Sequence, residues 1–279
     1  MWGEQWLART VLNVMLYFIA GERVKKPPTD IKSEKVSFSS ERGEIPLVGW
    51  FFPSTSSNRC ILIVPGGGGG PLSSRTRTFE IAKRLVEKNF NVLLFSLHGH
   101  GESGGKWTSQ SVGSELRDVF GAWNYLIKGR GFQSDYIGIL GFSIGAVATL
   151  LVAAEEKKIR AAVLESGWAD FEGMFRKKPG EPKHWIMTFP FRWCTNKAGV
   201  KIPNPIEQLS QIRAKLFFIH GEKDEIISPE ESCRLFQTSG GNEQGNALWI
   251  VKGASHCRSF QTNPEEYIER VAAFFRKYL

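Results

Sequence analysis

A chain of 279 residues, 42% hydrophobic and 23% charged, has the composition of a folded domain and is long enough for one large α/β unit; that excludes a disordered, collagenous or disulfide-scaffold protein. The formal net charge of +8 is scattered over the chain, and its two local clusters, Arg23-Val24-Lys25-Lys26 and Arg176-Lys177-Lys178, come with no recognition motif, which argues against nucleic acid as a partner. Cys60, Cys194, Cys233 and Cys257 show no C-x-x-C or zinc spacing, so they read as reduced thiols of a cytoplasmic-type compartment, and no metal site is expected.

The first apolar stretch covers residues 10–20 and is too short to cross a bilayer, which takes about 20 residues. It lacks the basic start and small-residue cleavage site of a secretion signal. It reads as a helix packed on the body of the protein or on a second subunit, as in a homodimer. Alternatively it is an interfacial helix for peripheral membrane contact, flanked by Trp2, Trp6, Arg23, Lys25 and Lys26. Lys26-Pro27-Pro28-Thr29 ends it, so residues 1–28 form a helix and linker ahead of a domain at 29–279.

Within that domain, residues 35–39 and 45–52 flank the turn signal Glu41-Arg42-Gly43-Glu44 and predict a β-hairpin. Cys60-Ile61-Leu62-Ile63-Val64 is apolar throughout, as a strand buried on both faces must be. It runs into Pro65 and five glycines, Gly66 to Gly70. Helical spacing of Phe79, Ala82, Leu85 and Val86 predicts a helix over 76–89; strand 91–95 and helix 114–128 follow. Strand 136–140, helix 146–154 and strand 161–165 continue the alternation. After Ser166 it breaks: residues 167–205 are rich in Trp, Phe, Pro and Lys without a clean period. It then resumes as strand 215–219, helix 229–238, strand 247–251 and helix 264–278. Alternating apolar strands and amphipathic helices predict a mostly parallel central sheet with helices on both faces. The stretch 167–205 is expected to be a cap insertion over the carboxyl edge of that sheet, where ligands bind in such folds.

Gly141-Phe142-Ser143-Ile144-Gly145 lies between a predicted strand and a predicted helix. A serine on such a turn is forced above the sheet beside a helix N-terminus, a nucleophile's position. Its hydroxyl needs a base, and the base needs an acid to orient it. Among His98, His100, His184, His220 and His256, the last sits in a loop just after the final strand, at the same sheet edge as Ser143. The acid is expected after the strand before it, where Glu222, Asp224 and Glu225 stand; Asp224 is preferred, and either glutamate fits the spacing.

The chain resembles an α/β-hydrolase-fold serine hydrolase over residues 36–279. Gly141 to Gly145 resembles that superfamily's nucleophile elbow. His220-Gly221-Glu222-Lys223-Asp224 with Ile227 and Pro229 resembles its acid loop, and Gly253-Ala254-Ser255-His256 its histidine loop. Ser96-Leu97-His98-Gly99-His100-Gly101-Glu102-Ser103 resembles the D-x-R-G-H-G-x-S turn, with Ser96 and His98 in place of Asp and Arg; His98 and His100 are read as holding that turn rather than as catalytic. The similarity is to the carboxylesterase and serine-aminopeptidase-like branch, with its lysophospholipases, monoacylglycerol lipases and acyl-thioesterases. It implies Ser143, His256 and Asp224 as catalytic residues, no cofactor, and oxyanion donors at Ile144 and at Gly67, the latter in a Pro65-Gly66 variant of the usual His-Gly. Trp168, Phe171 and Phe175 of the insertion are expected to line a substrate pocket for a hydrophobic ester or lipid. Glu172 and Glu181 there leave an aminopeptidase open, but Arg176, Lys177, Lys178 and Lys183 fit an anionic or phospholipid head group better. A non-enzymatic scaffold of the same fold is the remaining reading.

Overall fold

The computed structural model describes residues 27–41, 43, 45–67, 77–107, 114–170, 173, 193, 197 and 204–279. The predicted helix at 10–20 and most of the insertion at 167–205 lie outside the described residues. Among the described residues there are eight strands: β1 (Glu34–Ser39), β2 (Pro46–Phe52), β3 (Cys60–Val64), β4 (Asn91–Phe95), β5 (Ile137–Phe142), β6 (Ala161–Glu165), β7 (Lys215–Gly221) and β8 (Ala247–Val251). They form one sheet in the order β1-β2-β4-β3-β5-β6-β7-β8. The β1–β2 and β2–β4 pairs are antiparallel; every other pair is parallel.

Seven helices connect or cover the described strands: α1 (Thr78–Glu87), α2 (Glu115–Asn124), α3 (Ile144–Glu155), α4 (Pro205–Gln208), α5 (Glu230–Thr238), α6 (Ser259–Thr262) and α7 (Pro264–Tyr278). None is long and apolar enough to cross a membrane. The helix predicted over 114–128 divides: after Asn124 it widens into a π-helical turn, Tyr125–Gly129, in which Tyr125 stacks on Phe38 of β1. Two short helices, α4 and α6, were not expected, because four residues are too few to show a period.

The apolar strands divide their side chains between two cores, since successive residues point to opposite faces. Ile61, Ile63, Leu140, Phe142 and Val163 meet α1 and α7 through Ile81, Leu85, Tyr267, Val271 and Phe275. Leu62, Val64, Ile139, Leu164 and Phe218 meet α2 and α3 through Val119, Trp123, Ala146 and Leu150. Each large side chain so buried stabilises the fold by about 1.5–3 kcal/mol before entropy is subtracted. Helix α3 is buried along almost its whole length and is therefore apolar on every side. It lies directly behind the functional turn.

The chain passes from β3 outward to β4, then crosses back over β3 to β5. Connections therefore diverge in opposite directions from β3 and β5, leaving a crevice at their carboxyl ends. Gly67 and Ser143 sit at those two ends.

Candidate active site

Phe142 ends β5 and Ile144 begins α3, so Ser143 makes the whole turn alone. It does so at φ 52°, ψ −119°, a region that costs a non-glycine residue of order 1–3 kcal/mol. Its two glycines are there because nothing larger fits. A Cβ on Gly141 would stand 2.5 Å from the Gly145 carbonyl oxygen, and one on Gly145 would stand 2.3 Å from that of Pro65. The strained turn is held by its own backbone: Ser143 N–H donates to Glu165 O on β6 at 2.8 Å, and Ser143 O accepts from Ala146 N–H at 2.9 Å.

From this turn the hydroxyl reaches a histidine. His256 Nε2 lies 3.1 Å from Ser143 Oγ, and His256 Nδ1 lies 2.7 Å from Asp224 Oδ2. The three residues are 143, 224 and 256 in sequence and come from the ends of β5, β7 and β8, a direct result of parallel strands ending at one edge. His256 is 5% exposed and Asp224 6%. The buried Asp224 carboxylate is met on both oxygens: Oδ1 accepts the backbone N–H groups of Ile226 and Ile227, each at 2.9 Å, and Oδ2 also faces His220 Nε2 at 3.1 Å. Burial alone would raise its pKa, but hydrogen bonds from His220 and His256 outweigh burial and hold the carboxyl well below the ordinary carboxylate range. It therefore stays ionised and keeps His256 oriented with Nδ1–H toward it and Nε2 bare toward Ser143. The two glutamates that the spacing also allowed do other things. Glu222 accepts the N–H of Gly253 at 3.0 Å, and Glu225 accepts the backbone N–H of His256 at 3.4 Å.

The expected oxyanion donors converge on the same turn. Ile144 is the first residue of α3, so no carbonyl one turn back is available to its N–H. Gly67 follows β3 and lies against it: a Cβ on Gly67 would stand 3.5 Å from Ile144 Cγ2, and one on Gly66 would stand 3.3 Å from Ser143 Cβ. Of the expected substrate-lining residues, Trp168 is 5% exposed and packs with Val147, Leu151, Ile227 and Ile144, between the elbow helix and the acid loop. Phe171 and Phe175 lie outside the described residues. Among the described residues, no group of three or more His, Cys, Asp or Glu is arranged to hold a metal.

Several supporting residues gave no clear sign in the sequence. Glu165, at the end of β6, is fully buried and accepts from Ser259 N–H at 3.0 Å and Tyr267 O–H at 2.8 Å. Ser166 Oγ accepts Cys257 N–H at 3.2 Å; both residues are at positive φ, 56° and 53°. The end of β6 thus ties down the chain on the far side of His256. The only signal for it was a charged residue closing the apolar run Ala161-Ala162-Val163-Leu164. Farther along the edge, His98 takes the place read for it: its backbone N–H and Nδ1 both meet Asp118 Oδ2 of α2, at 2.9 and 2.6 Å, and His100 Nδ1 meets His98 O at 3.0 Å.

A doubly covered eight-stranded sheet, with a serine on a strained β5–α3 turn at its switch point, defines a hydrolase of the α/β-hydrolase fold and the serine hydrolase superfamily. The chain belongs to the prolyl oligopeptidase family, whose model matches residues 77–279. Among curated proteins it is 27% identical over 199 residues to the uncharacterized protein YqkD of Bacillus subtilis (strain 168); the match spans 68% of this chain and 63% of YqkD, under two thirds of that relative's length. Among solved structures it is similar to the Pyrococcus furiosus esterase Pf2001, with a TM-score of 0.74 and 23% identity over 92% of this chain and 98% of that one. A puromycin-hydrolyzing peptidase of Mycobacterium tuberculosis shares the fold with a TM-score of 0.68 and 15% identity, over 92% of this chain and 41% of that chain.

Proposed function

We propose that this protein is a serine hydrolase that cleaves carboxylic ester bonds of hydrophobic acyl substrates through an acyl-enzyme. The observation that carries the reading is the continuous hydrogen-bonded series from Asp224 through His256 to Ser143, with its 3.1 Å approach of base to nucleophile. Ser143 Oγ attacks the ester carbonyl carbon as its proton passes to His256 Nε2. The carbonyl oxygen becomes an oxyanion and is met by the N–H groups of Ile144 and Gly67, each worth about 3 kcal/mol in the transition state. His256 returns the proton to the departing alcohol. A water then gives a proton to His256 and attacks the acyl carbon, releasing the acid and restoring Ser143. Asp224 stays ionised throughout and stabilises the imidazolium that forms twice in the cycle.

The preference for a hydrophobic acyl group is supported by Ile144 next to the serine, by Trp168 packed against Ile144, and by the aromatic residues of the segment that follows. Membership in a family named for a peptidase favours a second reading, amide cleavage after a short peptide or aminoacyl group. A panel of p-nitrophenyl esters of increasing acyl length beside aminoacyl p-nitroanilides separates the two. The expected result is ester turnover that improves from acetyl toward longer chains, and its loss by on the order of 10⁴-fold or more in Ser143→Ala with the fold intact. Wild-type turnover in the folded Ser143→Ala protein would overturn the proposal; efficient anilide cleavage with poor ester turnover would establish the second reading.

A further inference from the structure

A second histidine touches the acid. His220 is fully buried at the end of β7, in the sheet rather than in a loop. Its Nε2 lies 3.1 Å from Asp224 Oδ2 and 3.1 Å from the carbonyl oxygen of Ile227. Both neighbours are acceptors, so Nε2 carries the hydrogen. Its Nδ1 lies 2.7 Å from Ser232 Oγ of α5, itself buried, and in the neutral ring that nitrogen accepts the serine O–H. The ring is thereby fixed in one tautomer from both ends.

The consequence falls on Asp224. Its Oδ1 is set by two loop N–H groups, and its Oδ2 would otherwise be set only by His256, the residue it has to orient. A carboxylate located by its own client can turn with it. The His220 N–H gives Oδ2 a reference that does not move with His256, because it comes from a strand packed on both sides.

We propose that His220 is a positioning residue: held by Ser232, it fixes the Asp224 carboxylate so that His256 presents its bare Nε2 to Ser143. This rests on reading Asp224 and His256 as acid and base. His220 touches neither substrate nor reacting atoms, so its removal affects turnover rather than binding.

Three variants test the idea. His220→Leu removes the donor at similar bulk; His220→Gln keeps an amide N–H near the Nε2 position; Ser232→Ala removes the group that fixes the tautomer. With a short p-nitrophenyl ester, kcat is expected to fall on the order of 10- to 100-fold in His220→Leu while KM changes by less than about threefold, and to be largely restored in His220→Gln. The second readout needs no turnover: the downfield proton resonance of the His256–Asp224 hydrogen bond should broaden or shift in His220→Leu and Ser232→Ala and return in His220→Gln. Because that signal reports the pair directly, it decides the proposal even if the protein turns out to hydrolyse no ester. A folded His220→Leu with wild-type kcat and an unchanged resonance would overturn it. If His220→Leu does not fold, an unchanged resonance in Ser232→Ala together with a shifted one in His220→Gln would do the same.

Discussion

Glu165 shows what a single side chain beneath the site can do. It is fully buried; burial pushes its pKa up, and the hydrogen bonds from Tyr267 and Ser259 only partly reverse that. An acid whose pKa is raised on folding holds its proton more tightly in the folded state than in the unfolded one. Its contribution is therefore most favourable at low pH and is lost as pH rises from its ordinary value of 4.5 through the folded value. Glu165→Gln removes that dependence. Thermal unfolding between about pH 4 and pH 7 should show the melting temperature of the variant gaining on wild type as pH rises; a constant difference would contradict it. The same residue marks the limit of the sequence reading at this scale. The meeting of Ser143, Asp224 and His256 was legible because each sits in a short local pattern with a glycine or a strand end beside it. Glu165, Ser166 and the contact of His220 with Asp224 were not, because their roles depend on partners about 90–100 residues away for Glu165 and Ser166, and for His220 on the way the acid loop curls back.

Helix α5 joins the acid loop to the start of the insertion. Its Glu231 is fully buried and accepts Ala169 N–H at 3.0 Å; its Arg234 meets both Glu231 oxygens at 3.0 Å and Asp170 at 2.5 Å. Asp170 in turn accepts Gly173 N–H at 2.6 Å. Arg234 is 30% exposed, so solvent weakens its pairing, but Glu231 is not, and its carboxylate depends on that guanidinium. Arg234→Ala should cost about 2 kcal/mol in denaturant unfolding, with part of it recovered by adding Glu231→Gln. A change within 0.5 kcal/mol, roughly the range of an ordinary surface substitution, would refute the clasp. The strands and the longer α-helices stood out in the sequence by apolar runs, alternation or helical spacing. Helices α4 and α6 did not, and neither did this clasp, whose acidic and basic residues look like any solvated face until the fold brings 170 and 234 together.

Across the molecule, alternation of strands and helices gave a mostly parallel, doubly covered sheet, and the structure has one. The order β4-β3-β5 was not written in any segment, since it depends on which neighbour each strand finds rather than on its own residues. Stability and chemistry are separated in this arrangement. Phe275 of α7 is fully buried against Phe90, Phe274 and the backbone of Gly138, near the start of β5, while Ser143 lies past its end. Five residues of strand put about 16 Å between them. Phe275→Ala should lower unfolding free energy by about 3–5 kcal/mol and leave kcat per folded molecule within about twofold of wild type, as urea unfolding and active-site titration would show; a parallel collapse of kcat would mean the two are coupled.

One small feature of the scaffold reaches further. Ile206 N–H donates to Ala169 O at 2.9 Å, so the chain that departs after β6 rejoins the body at the point it left. Ends that meet close the excursion at the surface of the body, where changes of chain length are best tolerated. Strand register on either side of it is set by the pairing of β5, β6 and β7 themselves. If that segment shapes the substrate pocket, as the proposed function has it, then for lineages that diverge substrate preference and the Ser143–His256–Asp224 arrangement become separately inheritable traits.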